Sequence, residues 1–99
     1  MTAPGYVIVD ARVVDPDKYS IYKELATKAM KAHGAEVLIR GGAAYAAEGD
    51  WQPERIVLLR FPSMAAAYAY VGSVEYSAAR QARLGAAEMN MVVVEGVSL

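Results

Sequence analysis

Apolar and polar residues recur along the chain at the periods of strands and helices. Residues 5–14 are rich in branched and aromatic side chains, which is typical of a strand. Asp15 and Pro16 then supply an N-cap and a first helical residue, and the apolar positions that follow recur at helical spacing. Gly34 is placed to end this helix in the left-handed conformation. The first third of the chain therefore predicts a strand followed by an amphipathic helix.

The next segment predicts a hairpin of two strands. We place these strands at residues 36–40 and 55–61, with the turn between them around Gly49, Asp50 and Pro53. The pair Gly41-Gly42 predicts a bulge, after which residues 43–47 continue the extended run.

The last segment predicts two helices and a strand. Ser63 is an N-cap for a helix over residues 64–71, and Ser73 caps a second helix over residues 74–87. Residues 89–95 form the last strand.

The order strand, helix, strand, strand, helix pair, strand predicts the fold class. It indicates one α+β domain over residues 1–99, a ferredoxin-like βαββαβ unit with a four-stranded antiparallel sheet and its helices on one face.

Strand alternation predicts how the two faces of this sheet differ, because successive side chains point to opposite sides. The set expected under the helices is uniformly apolar: Val7, Val9, Ala11, Val13, Val37 and Ile39. The opposite set is also largely apolar, and its apolar members are Tyr6, Ile8, Leu38, Ile56, Leu58, Val92 and Val94. Four charged residues lie between them: Asp10, Arg12, Arg40 and Arg60. A face this apolar predicts packing against a second copy, a homodimer, whereas ordinary exposure of some apolar residues is the alternative.

Composition excludes several classes of partner and site. The chain has 10 basic and 11 acidic residues, so it offers no broad positive field for nucleic acid. One histidine and no cysteine argue against the usual zinc and non-haem iron sites, and we expect no metal and no cofactor. The apolar runs have strand length and the N-terminus lacks a signal-peptide pattern, so we expect a cytoplasmic protein without a membrane span.

Two residues of the first helix are the candidates for catalysis. His33 is the only histidine and can act as a general base or proton donor near neutral pH, and Tyr22 shares its helix face. The alternative for His33 is a helix-end residue whose charged form the helix dipole favours.

Three further residues are predicted to bind substrate. The phenols of Tyr19 and Tyr76 suit an aromatic or carboxylated ligand, and the Arg40 guanidinium suits a carboxylate. Arg55, Arg80 and Arg83 could bind a carboxylate in the same way, although simple surface exposure is the preferred interpretation of Arg80 and Arg83. The alternative to a binding role is core packing for the two tyrosines and simple surface exposure for Arg40.

Short motifs spread over nearly the whole chain resemble a known family. They are Ala32-His33-Gly34, Arg40-Gly41-Gly42, Glu48-Gly49-Asp50-Trp51, Arg55, Phe61-Pro62-Ser63, Ser73-Val74-Glu75-Tyr76 and Val94-Glu95-Gly96. In this order and spacing they resemble the bacterial family named domain of unknown function 1330, although Val74 stands where that family more often has proline. The resemblance implies a dimeric α+β barrel, the fold of small cofactor-independent monooxygenases and muconolactone isomerases. It implies no catalytic residues, because none are established for the family.

Three functional hypotheses follow. The first is a homodimer that binds or converts a small aromatic, carboxylated or lactone-like molecule without a cofactor, in a pocket lined by Tyr22, His33, Arg40 and Tyr76. The second is a non-catalytic homodimeric interaction or structural module. The third, weaker one is a hard-metal site using Asp10 or Glu48.

Overall fold

A computed structural model describes residues 2–98 as one four-stranded antiparallel sheet, in the order β2-β3-β1-β4, with three helices. This confirms the predicted ferredoxin-like α+β fold. The elements are β1 (Gly5–Val13), α1 (Pro16–Ala32), β2 (Glu36–Arg40), β3 (Ile56–Phe61), α2 (Met64–Val71), α3 (Val74–Arg83) and β4 (Ala87–Glu95).

Each helix begins at a side-chain cap that the sequence predicts. The Asp15 carboxylate accepts from the Lys18 N–H at 3.1 Å, with Pro16 next in the chain. The Ser63 and Ser73 hydroxyls do the same for α2 and α3, accepting from backbone N–H groups at 3.1 and 3.0 Å. These bonds satisfy donors that the first turn of a helix leaves unpaired.

The bulge in the hairpin lies at a different place from the predicted one. Pairing between β2 and β3 shifts register between Val37 and Ile39, so the extra residue is Leu38 and not the Gly41-Gly42 pair. Gly41 instead has a φ of 68°, a conformation that favours glycine, and ends β2. Residues 43–47 consequently form no strand, and the prediction of an extended run there is wrong.

This bulge exchanges the faces of the last two residues of β2. Ile39 pairs with Leu58, on the sheet face away from the helices, whereas Arg40 pairs with Val57 on the helix side. The predicted sides of Ile39 and Arg40 are therefore wrong, because one inserted residue reverses the alternation.

The end of α3 also differs from the prediction. The helix stops at Arg83, and Gly85 turns the chain with a φ of 78°. The Ala86 carbonyl then accepts from the backbone N–H groups of Val14 and Asp15, at 2.8 and 3.1 Å, which ties the chain to the end of β1. Ala87 consequently belongs to β4 and not to a helix.

The core lies between the helices and one face of the sheet. Alternate residues of β1, namely Val7, Val9 and Ala11, are buried there as predicted, and they pack with aromatic and alanine side chains of the three helices. Helix α1 packs mainly against α3, and all five residues of β2 stay exposed. None of the helices within residues 2–98 is long and apolar enough to cross a bilayer.

The opposite face of the sheet, which we call the outer face, has an apolar row across all four strands. Ile8 pairs with both Leu58 and Val92, and Leu58 pairs with Ile39. Two ion pairs flank this row, Arg60–Glu36 at 3.3 Å and Arg12–Glu88 at 3.2 Å. The charged residues of the outer face are thus largely neutralised within the chain.

The loop between β2 and β3 is fixed to the outer face by Asp10. Its carboxylate accepts from the Trp51 indole at 2.9 Å and from the backbone N–H groups of Glu54 and Arg55 at 3.1 and 3.3 Å. The hydrogen bond from Trp51, with those from the two backbone groups, lowers the pKa of Asp10, although partial burial opposes this.

We expect Asp10→Ala to destabilise the protein by about 1–2 kcal/mol, because three donors lose a charged acceptor. Folding favours the carboxylate, so its contribution is present above the ordinary aspartate pKa of about 3.9 and is lost as the pH falls through the lower folded-state value. Urea unfolding at several pH values, followed by the fluorescence of Trp51, measures both effects. The exposed Asp50 of the same loop supplies the control variant Asp50→Ala, and equal pH profiles for the two variants would contradict the prediction.

Candidate functional site

A cavity of about 560 Å³ lies between α1 and the sheet. Helix α1 forms one wall, and the other is formed by β1, β3 and β4 with the end of β2. The apolar part of its lining consists of Val9, Ala26, Met30, Val57, Leu59, Met89 and Met91 together with the rings of Tyr19, Tyr22 and Tyr70. The cavity can therefore accept an apolar body.

Basic side chains dominate the charged part of this lining. Five basic residues border the cavity against one acidic residue, Glu24, and the basic ones are Lys23, Lys28, Lys31, Arg40 and Arg55. The chain as a whole has a net charge of -1, so this excess is local. Such a concentration of positive charge beside an apolar floor favours an organic anion.

Arg55 enters the cavity wall from the residue just before β3. Alternation with Val57 and Leu59 puts it on the helix side of the sheet. Its Nε is buried and has no hydrogen-bond partner within residues 2–98. Gly41 lies against this side chain, and a Cβ at that position would overlap the guanidinium. A buried donor without a partner is costly, so this unsatisfied nitrogen lowers the stability of the folded chain.

Arg40 borders the same cavity from the end of β2. Its Nη2 lies 3.9 Å from the Met30 sulfur, a weak acceptor. Neither Arg40 nor Arg55 has a carboxylate within ion-pair distance among the residues that the structure describes. Both guanidinium groups are thus available for an anionic ligand.

Tyr22 joins the cavity to a buried polar cluster behind it. Its hydroxyl lies 2.8 Å from that of Tyr76 and 3.7 Å from the Met89 sulfur. Arg83 donates to the Tyr76 oxygen at 3.3 Å and to the Met89 sulfur at 2.8 Å. Burial, reinforced by the neighbouring tyrosines, raises the pKa of Tyr22 far above its ordinary value, so the phenol stays protonated and acts as a donor.

The structure brings three of the five predicted site residues to one cavity. Tyr19, Tyr22 and Arg40 line it, and the first two rings stack with centroids 5.2 Å apart. Tyr76 is fully buried behind Tyr22, and it reaches the cavity lining through contacts with Tyr22, Tyr70 and Met89. The roles assigned to these residues stay predictions.

His33 lies outside the cavity lining. It caps the C-terminus of α1, and its Nε2 lies 2.7 Å from a Glu75 carboxylate oxygen. The edge of its ring also packs near Tyr70, with centroids 6.3 Å apart. This arrangement connects α1 to α3, and the expected pocket containing His33 with Tyr22, Arg40 and Tyr76 is not the cavity observed.

Sequence reasoning left several residues of the cavity lining, and Arg83 behind it, out of the predicted site, although it considered Arg55 and Arg83 among the arginines that could bind a carboxylate. Arg55 alternates with the buried residues of β3, a spacing that places it on their face, and Arg83 follows Tyr76 by two helical turns. These two signals are readable in the sequence. The polar side of α1 carries Lys23, Lys28 and Lys31. Their spacing in the sequence does not show whether that side of the helix borders a cavity or only solvent.

The structure also bears on the hard-metal hypothesis. The Asp10 oxygens already accept three hydrogen bonds. Within residues 2–98, no group of three or more histidine, cysteine, aspartate or glutamate side chains is arranged to hold a metal ion.

Several solved structures share this fold. A protein of unknown function from Rhodopseudomonas palustris aligns with a TM-score of 0.72 and 18% identity, over 100% of this chain and 86% of that one. A candidate oxidoreductase from Bacteroides thetaiotaomicron aligns with a TM-score of 0.61 and 16% identity, over 96% of this chain and 99% of that one.

A proposed antibiotic biosynthesis monooxygenase from Caulobacter crescentus gives a TM-score of 0.60 and 18% identity, over 98% of this chain and 92% of that one. At such identities the likeness shows a shared fold and no shared activity.

Sequence comparison identifies the family. No curated protein sequence matches the chain. The family model described as domain of unknown function (DUF1330) matches residues 4–97, which is nearly the whole chain. The protein therefore belongs to the DUF1330 family.

Proposed function

We propose that this protein binds a small organic acid in the cavity between α1 and the sheet. The observation that carries the proposal is the cavity's lining, in which five basic residues and one acidic residue surround an apolar floor. An apolar body with one anionic group fits both parts of this lining, which is the combination found in an aromatic carboxylate.

The size of the cavity supports a ligand of this kind. Its volume of about 560 Å³ lies within the range of about 300–1,000 Å³ that is typical of small-molecule sites. The floor offers methionine and tyrosine side chains, which suit the faces and edges of an aromatic ring.

Arg55 is the residue that we expect to bind the anion most directly. Its guanidinium borders the cavity and has no carboxylate partner among the described residues, so a ligand carboxylate would pair with it without displacing an acidic side chain. Arg40 lies on the same side of the sheet and is the second contact. His33, paired with Glu75 away from the cavity, has no part in this binding.

The structural neighbours add limited support. A proposed antibiotic biosynthesis monooxygenase has the same fold, so this architecture is compatible with small-molecule chemistry. The proposal itself rests on the cavity of this chain.

We further propose that the protein acts as a homodimer whose subunits meet through their outer faces. The apolar row formed by Ile8, Ile39, Leu58 and Val92 leaves Val92 55% exposed and Ile39 40% exposed in the isolated chain. The flanking ion pairs are satisfied within the chain, so a second copy would meet a face without an excess of like charge. Burial of this row would stabilise the pair.

Binding of benzoate tests the cavity. We expect Arg55→Met to weaken benzoate binding about 10- to 100-fold, because a charge-assisted hydrogen bond is lost while the apolar stem is kept. Isothermal titration calorimetry measures the affinity, with neutral benzamide as the comparison ligand. The control is Arg12→Met on the outer face, which should bind benzoate as the unmodified protein does. If benzoate and benzamide bind equally, or if Arg55→Met has no effect, the anion site is wrong.

Light scattering after size exclusion tests the homodimer. We expect the unmodified protein to have twice the chain mass of 10.6 kDa at micromolar concentration. Leu58→Glu should give the single-chain mass, because a buried carboxylate in the apolar row would lack a partner. Val74→Glu places the same charge on an apolar residue that is 83% exposed on α3, and should leave the dimer intact. A stable monomer of the unmodified protein would contradict the proposal.

A further inference from the structure

We infer that the Tyr22 hydroxyl donates a hydrogen bond to a second oxygen of the ligand, and that Arg83, acting through Tyr76, is a positioning residue that polarises this donor. The inference rests on the proposed function, since it concerns the other end of the same cavity. It narrows the ligand to an organic acid that also carries a carbonyl or similar acceptor oxygen.

The direction of hydrogen bonding starts at Arg83. A guanidinium has donors and no acceptor, so the Tyr76 oxygen must accept the 3.3 Å bond from Arg83. The Tyr76 hydrogen can then go to the Tyr22 oxygen at 2.8 Å or to the Met89 sulfur at 3.9 Å. Oxygen is the stronger acceptor, which favours the order Arg83 to Tyr76 to Tyr22.

This order leaves the hydrogen of Tyr22 with a poor partner. Within the described structure its remaining acceptor is the Met89 sulfur at 3.7 Å, a weak one. Tyr22 and Met89 both line the cavity, so a ligand oxygen there would offer a better acceptor than the thioether.

Charge and cooperativity strengthen the donor. The Arg83 guanidinium lies 5.8 Å from the Tyr22 ring centroid, and it also donates a hydrogen bond to the Tyr76 hydroxyl. A chain of hydrogen bonds that begins at a cation polarises each successive O–H group, and it does so more strongly in a buried site than in water. Because burial keeps the pKa of Tyr22 high, the group offers its proton without losing it at neutral pH.

The register of the sheet relates this donor to the anion site. Arg55 bonds to Ala11 through the backbone, and Ala11 pairs with Met89 on the next strand. Arg55 and Met89 are thus separated by two strand spacings, about 10 Å between backbones. This spacing is comparable with the length of one aromatic ring carrying an oxygen function at each end.

Two ligands of matched shape test the inference. In 4-acetylbenzoate a carbonyl oxygen lies opposite the carboxylate, and in 4-isopropylbenzoate a methyl group takes its place. We expect the unmodified protein to bind 4-acetylbenzoate about tenfold more tightly, the effect of one ordinary hydrogen bond. Tyr22→Phe keeps the ring and should reduce this ratio to about one. Thermal melting confirms that each variant is folded.

Variants of Arg83 test its role as a positioning residue. Arg83→Met should lower the ratio severalfold, and Arg83→Lys, which can still donate to Tyr76, should restore most of it. Arg80→Met is the matched control, because Arg80 lies over the Tyr76 ring at 5.2 Å without bonding to its hydroxyl. The infrared stretch of the bound acetyl carbonyl is the second readout. It should shift to lower frequency in the unmodified protein, shift less in Arg83→Met and stay unshifted in Tyr22→Phe.

Each outcome decides a stated part of the proposal. If both ligands bind equally well and both lose affinity in Arg55→Met, the anion cavity stands and the Tyr22 donor is wrong. If the ratio survives Tyr22→Phe, the donor is likewise wrong. If Arg83→Met changes neither the ratio nor the carbonyl stretch, the role of Arg83 is wrong. If neither ligand binds the unmodified protein, the proposed function fails and this inference fails with it.

Discussion

Contact between tyrosine rings on the three helices is the interaction on which the rest of this structure depends. Tyr22 from α1, Tyr70 from α2 and Tyr76 from α3 meet edge to face or tilted, with centroid distances of 5.0 and 6.2 Å. These rings hold α1 against α3, while β2 at the far edge of the sheet stays uncovered. Helix α1 packs on these large rings along one side, and along its other side a space remains between the helix and the strands. The cavity is therefore a product of how the core is packed.

Local residue chemistry was enough to predict the order of elements, the three N-caps and the buried side of β1. Those features depend on neighbours in sequence, such as Asp15 with Lys18 or the alternation of Val7 and Val9. The bulge at Leu38 was not predictable in this way, because Val37, Leu38 and Ile39 are all apolar and fit either face. Arg40 was consequently assigned to the site for its chemistry and to the wrong side of the sheet.

The candidate site shows the same division between local and long-range information. Tyr22 and Tyr19 could be grouped by helical spacing, and their shared cavity follows from it. His33 also fits that spacing, yet Glu75, 42 residues later in the chain, holds it at the C-terminal end of α1, outside the cavity lining. Contacts with residues that are distant in sequence therefore determine which of the chemically suitable side chains share the cavity. Arg55 illustrates the energetic side, since a buried guanidinium nitrogen without an acceptor lowers the stability of the folded chain.

The sheet is one layer thick, and Arg55 is in contact with both of its sides. Its backbone N–H donates to Asp10 on the outer face, while its side chain borders the cavity on the other. A change at either surface must therefore be felt by the residue common to both. Any coupling between a molecule in the cavity and a neighbour on the outer face would have to be reciprocal, each changing the affinity of the other by the same factor. Arg55 thus links the outer face to the cavity within a single residue.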